Sequence, residues 1–238
     1  MKGKLSSMMR GRGRRERPRR EFEDKVEWKP KTKLGENVMK GEIKDIGSIL
    51  ERGEVILEPE IVDALVPEIK SEMVYIGGSP GKGGGTKRTA TKRTARMHKS
   101  GRRFKLSAMV AVGNEDGILG IGTGRSRENR IAIEKAEKQA RLNVIRVRRG
   151  CCSWECGCGG LHSIPFRSEA KKGSVIVTLI PAPKGVGVVG CDAVRKIAKL
   201  AGIKDIWINA VGNTGARSNL VDAFYEALRN LNRRKGAL

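Results

Sequence analysis

Residues 104–124 read FKLSAMVAVGNEDGILGIGTG, and this stretch decides the fold of the first half of the chain. Two apolar, β-prone runs, residues 104–112 and 118–124, flank the turn-forming segment 113–117. Two such runs joined by a short connection rich in Gly, Asn and Asp are typical of a β-hairpin. The sequence therefore predicts two antiparallel strands here.

A helix is predicted directly after the hairpin. Ser126 stands where an N-cap residue is expected, and Glu128 would complement the helix dipole in the first turn. Apolar residues then recur at helical spacing and end in a strand-like run at 144–147; they are Ile131, Ile133, Ala136, Ala140 and Ile145. This order leaves the loops and the helix start free to meet a ligand.

The second half of the chain repeats the order of strand and helix. A β-prone run at 175–180 precedes a Gly-rich loop, a helix across 193–201 and a strand at 206–211. A final amphipathic helix follows, with a buried stripe made of Leu220, Val221, Phe224, Leu228 and Leu231. The predicted class is α+β, with a first domain over residues 76–149 and a second, α/β domain over residues 150–238.

Upstream of the hairpin lies a strongly basic window. Residues 76–104 carry nine Lys and Arg and no carboxylate, and they contain the tandem pentapeptide TKRTA at 86–90 and 91–95. Side chains of one sign on a Gly-rich strip repel one another until a polyanion arrives, and a nucleic-acid backbone supplies that charge. We expect a basic loop here, with RNA or DNA as its partner.

The net charge of +23 is unevenly distributed along the 238 residues. Residues 1–20 carry nine basic groups and one acidic group, net +8; we expect a disordered arm that lies on phosphate, with a solvated tail as the alternative. Residues 21–75 carry eight basic and fourteen acidic groups, net −6. We expect this acidic extension to be partly helical, with a short helix at 59–65, and to pack on this protein or on a basic neighbour.

Composition excludes several classes of protein. Aromatic residues make up 4% of the chain, so the cores are expected to be aliphatic and base stacking is not the main means of holding RNA. The sequence contains no run of about 18 apolar residues and no signal-peptide pattern. We therefore expect a cytoplasmic protein without a membrane partner.

One glycine motif is typical of nucleotide-binding loops. Residues 185–190 match G-x-G-x-x-G, follow a strand and precede a helix. Against a dinucleotide site, Pro181 and Pro183 interrupt the turn, and Asp205 stands at the start of the next strand. Close backbone packing or contact with RNA phosphate explains the glycines as well, and no cofactor is expected.

A second constellation has metal-ligand chemistry. Cys151, Cys152, Cys156 and Cys158 lie within eight residues, and His162 follows. Zinc is one interpretation; reduced structural thiols are the interpretation that we favour, because structural zinc usually takes two C-x₂₋₄-C pairs separated by a longer loop. Neither His98 nor His162 has a partner that suggests a nucleophile and base, so an enzyme is not expected.

Short motifs in both halves of the chain resemble small ribosomal subunit protein family five. In the first half they are GRRF at 101–104, VAVG at 110–113, GIG at 120–122 and the helix start SRE at 126–128. In the second half they are LIPAPKGVG at 179–187, AGIKD at 201–205 and VGNT at 211–214. The likeness spans roughly residues 85–231, and the loop at 148–165 resembles the archaeal and eukaryotic branch of the family.

The resemblance implies a first domain similar to a double-stranded-RNA-binding fold, and a second domain with a left-handed βαβ crossover. It further implies a structural protein of the small subunit that contacts rRNA near the mRNA entry channel and supports assembly and decoding accuracy. Neighbours from ribosomal protein families four and eight are expected. The sequence departs from the family pattern in an insertion at 81–98 and in the doubled Cys151-Cys152.

From the charge pattern and the resemblance together, ten side chains are predicted to bind rRNA. They are Lys87, Arg88, Lys92, Arg93, Arg96, Lys99, Arg102, Arg103, Arg125 and Arg127. A DNA-binding or chromatin protein would explain the charge equally well. The sequence, however, contains no helix-turn-helix, zinc-finger or basic-zipper pattern.

Overall fold

The computed structural model describes residues 28–232 of the chain. The predicted arm at 1–20 lies outside these residues, as do the basic residues after position 232. The described part is a mixed α and β structure, as the sequence predicts. Within it, no helix is long and apolar enough to cross a bilayer.

The acidic extension contains three short helices: α1 (Lys33–Met39), α2 (Ile46–Arg52) and α3 (Pro59–Leu65). The predicted helix at 59–65 is confirmed, with Pro59 at its first position. Their buried side chains, including Ile49 and Ile61, share a cluster with Val144, which lies beyond the predicted hairpin and helix. The extension therefore packs on this protein, which is one of the two alternatives predicted for it, the other being a basic neighbour.

The strands and helix of the first domain follow in chain order. They are β1 (Lys70–Met73), β2 (Gly77–Pro80), β3 (Thr86–Thr89), β4 (Thr91–His98), β5 (Gly101–Gly113), β6 (Ile118–Ser126), α4 (Asn129–Leu142) and β7 (Val144–Arg146). Strands β2 and β3 form a separate two-stranded sheet. The other five form one antiparallel sheet, to which the last residues of the acidic extension contribute β1.

Strand β5 lies at the centre of this sheet. It pairs with β6 along one edge, while β4 and β1 pair in succession along the other. The predicted hairpin is thus confirmed, but the predicted N-cap is wrong. Ser126 is the last residue of β6, opposite Leu106, and Glu128 is the N-cap residue of α4. Strand pairing continues past the apolar run and takes Ser126 away from the helix.

Helix α4 lies unusually close to β6. The buried face of α4 is made of Ala132, Ala136 and Ala140, whereas Ile131 is 37% exposed. Gly120, Gly122 and Gly124 face these alanines, and a Cβ atom added to any of the three glycines would lie 2.2 Å from a backbone atom of the helix. Only glycine permits this approach.

The second domain contains β8 (Ser168–Lys172), β9 (Val175–Pro181), β10 (Val188–Val189), α5 (Asp192–Leu200), β11 (Ile206–Val211) and α6 (Arg217–Asn230). Its sheet has the order β10-β11-β9-β8. Strands β10 and β11 are parallel and are joined through α5, so the domain contains a βαβ unit. The left hand of that crossover stays a prediction. The predicted apolar stripe of α6 is confirmed as buried.

The two domains share one core. Met109 and Leu119 of the first sheet belong to the same buried cluster as Ile197 of α5, Leu179 of β9 and Phe224 of α6. Helix α5 contacts both β5 and β6. The first sheet is therefore covered by α4 on one face and by the second domain on the other.

The close approach of α4 and β6 predicts the effect of a single methyl group. We expect Gly122→Ala to destabilise the protein by about 2 kcal/mol or more, because the new Cβ would overlap the backbone of α4. Gly83→Ala is the matched control, since a Cβ at Gly83 has no atom within 4 Å. Urea denaturation of both variants measures the difference; equal stabilities would show that α4 can move away without cost.

Candidate nucleic-acid interface

The basic window forms regular structure, so the predicted basic loop is wrong. Strands β2 and β3 form a hairpin around the turn at 81–85, and β4 and β5 form a longer hairpin around Lys99 and Ser100. The repeated threonines of the TKRTA segments favour extended backbone. The two hairpins meet at their base. A Cβ atom added to Gly77 would lie 2.1 Å from the carbonyl oxygen of Thr91, so only glycine fits there.

The β4–β5 hairpin, which we call the arm, comprises residues 91–108, and its outer part, residues 94–105, extends beyond the edge of β6. Residues 101–105 of β5 pair with β4 alone, and pairing with β6 begins at Leu106. Most of the arm's side chains are exposed, including Met97 at 78%. The arm therefore presents both of its faces to the surroundings.

One face of the arm is strongly cationic. Side chains alternate between the faces of a strand, so the register places Lys92, Arg96, Arg103, Lys105 and Arg125 on the same side. Arg96 and Arg103 are direct cross-strand partners. Like charges in such positions destabilise a sheet, and no carboxylate from residues 28–232 relieves them. This surface is suited to an external polyanion.

The opposite face of the arm holds an arginine–aromatic stack. The guanidinium carbon of Arg93 lies 3.5 Å from the centre of the Phe104 ring, and that of Arg102 lies 5.4 Å from it. Such cation–π contacts restrict long, flexible side chains at an exposed site. The two arginines are therefore partly ordered before any ligand binds.

Some arginines of the described residues form ion pairs, whereas others do not. Arg141 binds Asp63 at 2.8 Å and Arg146 binds Glu51 at 2.5 Å, so the acidic extension neutralises the base of the first domain. Arg130 pairs with Glu134 within α4. In contrast, none of the ten predicted binding residues forms an ion pair with any residue in the described range. Their charge stays available to a ligand.

All ten predicted residues are exposed, but they do not form one cluster. Lys92, Arg96, Arg103 and Arg125 share the cationic face of the arm, Arg93 and Arg102 lie on the other face, and Lys99 lies in the turn. Lys87 and Arg88 belong to β3 in the neighbouring hairpin, and Arg127 lies between β6 and α4. Lys105 also lies on the cationic face and was not among the predicted residues, although its position two residues after Arg103 is the sequence signal of a shared strand face.

The glycine motif at 185–190 binds the side chain of Asp205. The backbone N–H groups of Gly185 and Gly187 donate to Oδ1 of Asp205, at 3.0 and 2.8 Å. Asp205 is buried, and both glycines have positive φ. The amides that would bind a phosphate therefore bind a side-chain carboxylate, which explains the motif without a nucleotide or an RNA phosphate.

The cysteine segment folds into a compact cluster. One ligand atom from each of Cys151, Cys156, Cys158 and His162 lies within 4.8 Å of the others, and Cys152 is not among them. Hydrogen bonds from the backbone N–H groups of Lys184 and Cys158 lower the pKa of the Cys156 thiol to about 6. Burial and the neighbouring Cys158 thiol raise the pKa of Cys151 to about 11. The turn at 154–155 brings these side chains together, although the spacing of the cysteines in the sequence is unusual for structural zinc.

Asp205 connects this cluster to the glycine loop. Its Oδ2 atom lies 2.8 Å from Nδ1 of His162, and both side chains are almost fully buried. The carbonyl oxygen of His162 in turn accepts from the N–H groups of Lys204 and Asp205. The segment between β7 and β8 is thus joined to the loop before β11 and to the glycine loop by a buried polar network.

An exposed cationic arm on a mixed α and β scaffold, with no ion pair to the described residues, is typical of nucleic-acid-binding proteins. Comparison with known families gives two matches: the model "Ribosomal protein S5, N-terminal domain" matches residues 86–148, and "Ribosomal protein S5, C-terminal domain" matches residues 170–236. The chain belongs to the ribosomal protein S5 family. The first match begins at the first TKRTA segment, so residues 86–98 of the predicted insertion lie inside the matched range.

Three relatives show how far the likeness extends. Each is named small ribosomal subunit protein uS5. The relative from Methanocaldococcus jannaschii is 46% identical over 87% of this chain and 88% of its own. The relative from Thermofilum pendens is 47% identical over 85% of this chain and 93% of its own. The relative from Nanoarchaeum equitans is 48% identical over 86% of this chain and 88% of its own. All three are archaeal, which confirms the predicted branch, and membership of a ribosomal protein family confirms that the chain is not an enzyme.

The network around Asp205 predicts a large loss of stability on its removal. We expect Asp205→Ala to lower the free energy of unfolding by about 3 kcal/mol, because two backbone amides of the glycine loop and the buried His162 ring would lose their hydrogen-bond partner. Asp192→Ala is the control, since that side chain is 94% exposed and its removal should cost no more than about 1 kcal/mol. Chemical denaturation of both variants is the measurement, and similar values would contradict the role of the network.

Proposed function

We propose that this chain is a structural protein of the small ribosomal subunit in the cytoplasm, and that its β4–β5 arm binds small-subunit rRNA. The single observation that carries the proposal is the cationic face of the arm. There, Arg96 and Arg103 lie directly opposite each other without a carboxylate from the described residues. A polyanionic backbone removes this repulsion and releases its own counterions.

The ten predicted residues act in two ways in this proposal. Those on the cationic face and on β3 bind phosphates and fix the position of the protein on the RNA without reading sequence. Arg93 and Arg102, ordered by Phe104, present planar guanidinium groups that suit bidentate contact with phosphate. Lys105 is added to this set because it shares the face of Arg103.

In this proposal, the two domains bind different kinds of partner. We assign residues 76–149 to rRNA, and residues 150–238 in larger part to neighbouring ribosomal proteins of families four and eight. In support, Val186, Val189 and Val211 of the second domain are exposed apolar side chains. Such residues contribute to protein–protein contacts. A position near the mRNA entry channel, with an influence on assembly and decoding, follows from the family resemblance.

Salt dependence tests the rRNA contact. Replacing Lys87, Arg88, Lys92 and Arg93 together with Ala should weaken rRNA binding, and the slope of log Kd against log salt concentration should fall by about 3. The matched control replaces four exposed lysines of the second domain, namely Lys171, Lys172, Lys199 and Lys204. An unchanged slope in the first variant, or an equal fall in the control, would remove the hairpins from the interface.

Sedimentation tests membership of the subunit and the role of the arm. A tagged full-length chain, supplied as the sole copy in cells, should co-sediment with small subunits through high salt. The variant Arg102→Ala with Arg103→Ala should lower the yield of small subunits or raise the misreading of a reporter. A chain that stays at the top of the gradient would contradict the function; normal yield and decoding in the variant would contradict the placement of the arm.

A further inference from the structure

The interdomain segment between β7 and β8 contains a group of side chains that rRNA binding does not use. We propose that Cys151, Cys156, Cys158 and His162 bind one Zn²⁺ ion. The four ligand atoms lie within 4.8 Å of one another, and Cys156 Sγ is 3.8 Å from His162 Nε2. This site goes beyond the proposed function and does not depend on it.

The distances suit a tetrahedral site. Zinc binds cysteine sulfur at about 2.3 Å and histidine nitrogen at about 2.1 Å, so neighbouring ligand atoms of a tetrahedron are roughly 3.6–3.8 Å apart. The cluster therefore needs a contraction of an ångström at most to reach this geometry. Three thiolates and one imidazole form a donor set that selects zinc over magnesium or calcium, which prefer oxygen.

The histidine is already oriented as a ligand. His162 is 7% exposed, and its Nδ1 atom donates to Oδ2 of Asp205. Because an ionised carboxylate can only accept a hydrogen bond, this contact requires the proton on Nδ1 and leaves Nε2, 3.8 Å from Cys156 Sγ, as the nitrogen that would bind the metal. Carboxylate–histidine–metal arrangements of this kind fix the tautomer of ligating histidines in zinc proteins. The Oδ1 atom of Asp205, held by Gly185 and Gly187, keeps the carboxylate in place.

Apart from the bonds of His162 to Lys204 and Asp205, the surrounding segment has little means of holding its shape. Gly150 and Ser163 are joined by a β-bridge, but residues 151–162 between them, all described, form neither helix nor strand. Trp154 is 91% exposed and Leu161 is 63% exposed, so the segment buries little large apolar surface of its own. A metal ion would close this segment against the second domain and supply the missing stability. This interpretation replaces the expectation of reduced thiols.

Metal analysis of the purified full-length chain, without an affinity tag, tests the site. We expect about one zinc per chain by mass spectrometry after purification without chelators. Cys156→Ser and His162→Ala should each lose most of the zinc. Cys152→Ser is the matched control, because Cys152 is adjacent in sequence but outside the cluster, and it should retain the metal.

Cobalt substitution keeps the test independent of whether the variants fold. The wild-type chain, stripped by a chelator and titrated with Co²⁺ under reducing conditions, should show thiolate-to-cobalt charge transfer and visible bands typical of tetrahedral coordination. Addition of Zn²⁺ should abolish these bands. A chain without zinc and without cobalt bands, a disulfide among the three cysteines, or loss of metal in Cys152→Ser equal to that in Cys156→Ser would each overturn the proposal.

Discussion

The close contact between β6 and α4 is the constraint on which the rest of the structure depends. Three alternate glycines on the strand meet three alanines on the helix, and the helix backbone occupies the space where side chains would be. The helix thereby fixes β6, and β6 fixes the central strand β5 through a long ladder. The arm is the continuation of β5 beyond this support. Its direction is therefore set by a packed layer, while its tip remains exposed.

Charge has two different roles in this molecule. Around the base of the first domain, Asp63 of α3 pairs with Arg141 of α4, and Glu51 of α2 pairs with Arg146 of β7, so these two N-terminal helices are joined to the first domain. Exposed pairs of this kind each contribute little free energy, so the shared apolar cluster around Ile49 and Ile61 is the larger contribution. On the arm, cations face cations across the strands. Repulsion within the protein then becomes attraction in a complex with a polyanion.

Much of the fold could be predicted from the sequence because local patterns agreed with long-range pairing. The hairpin at Gly113–Gly117, the strand ending at Val211 and the apolar stripe around Phe224 all show the periods expected of their elements. The wrong predictions have a common cause, because contacts with residues distant in sequence determined the local structure. Ser126 resembles an N-cap but pairs with Leu106, and the two charged TKRTA segments become ordered as β3 and β4 because β2 and β5, respectively, pair with them. The cysteine cluster depended on a turn and on Asp205, which lies 43 residues from His162.

Helix α5 has a consequence for how the protein unfolds. Its apolar side chains belong to a core that also includes Met109 and Leu119 of the first sheet and Leu179 of the second. Neither sheet can lose this helix without exposing buried apolar surface of the other. The two domains, although separate in topology and in family assignment, therefore form a single cooperative unit, and a change that loosens one of them weakens the other.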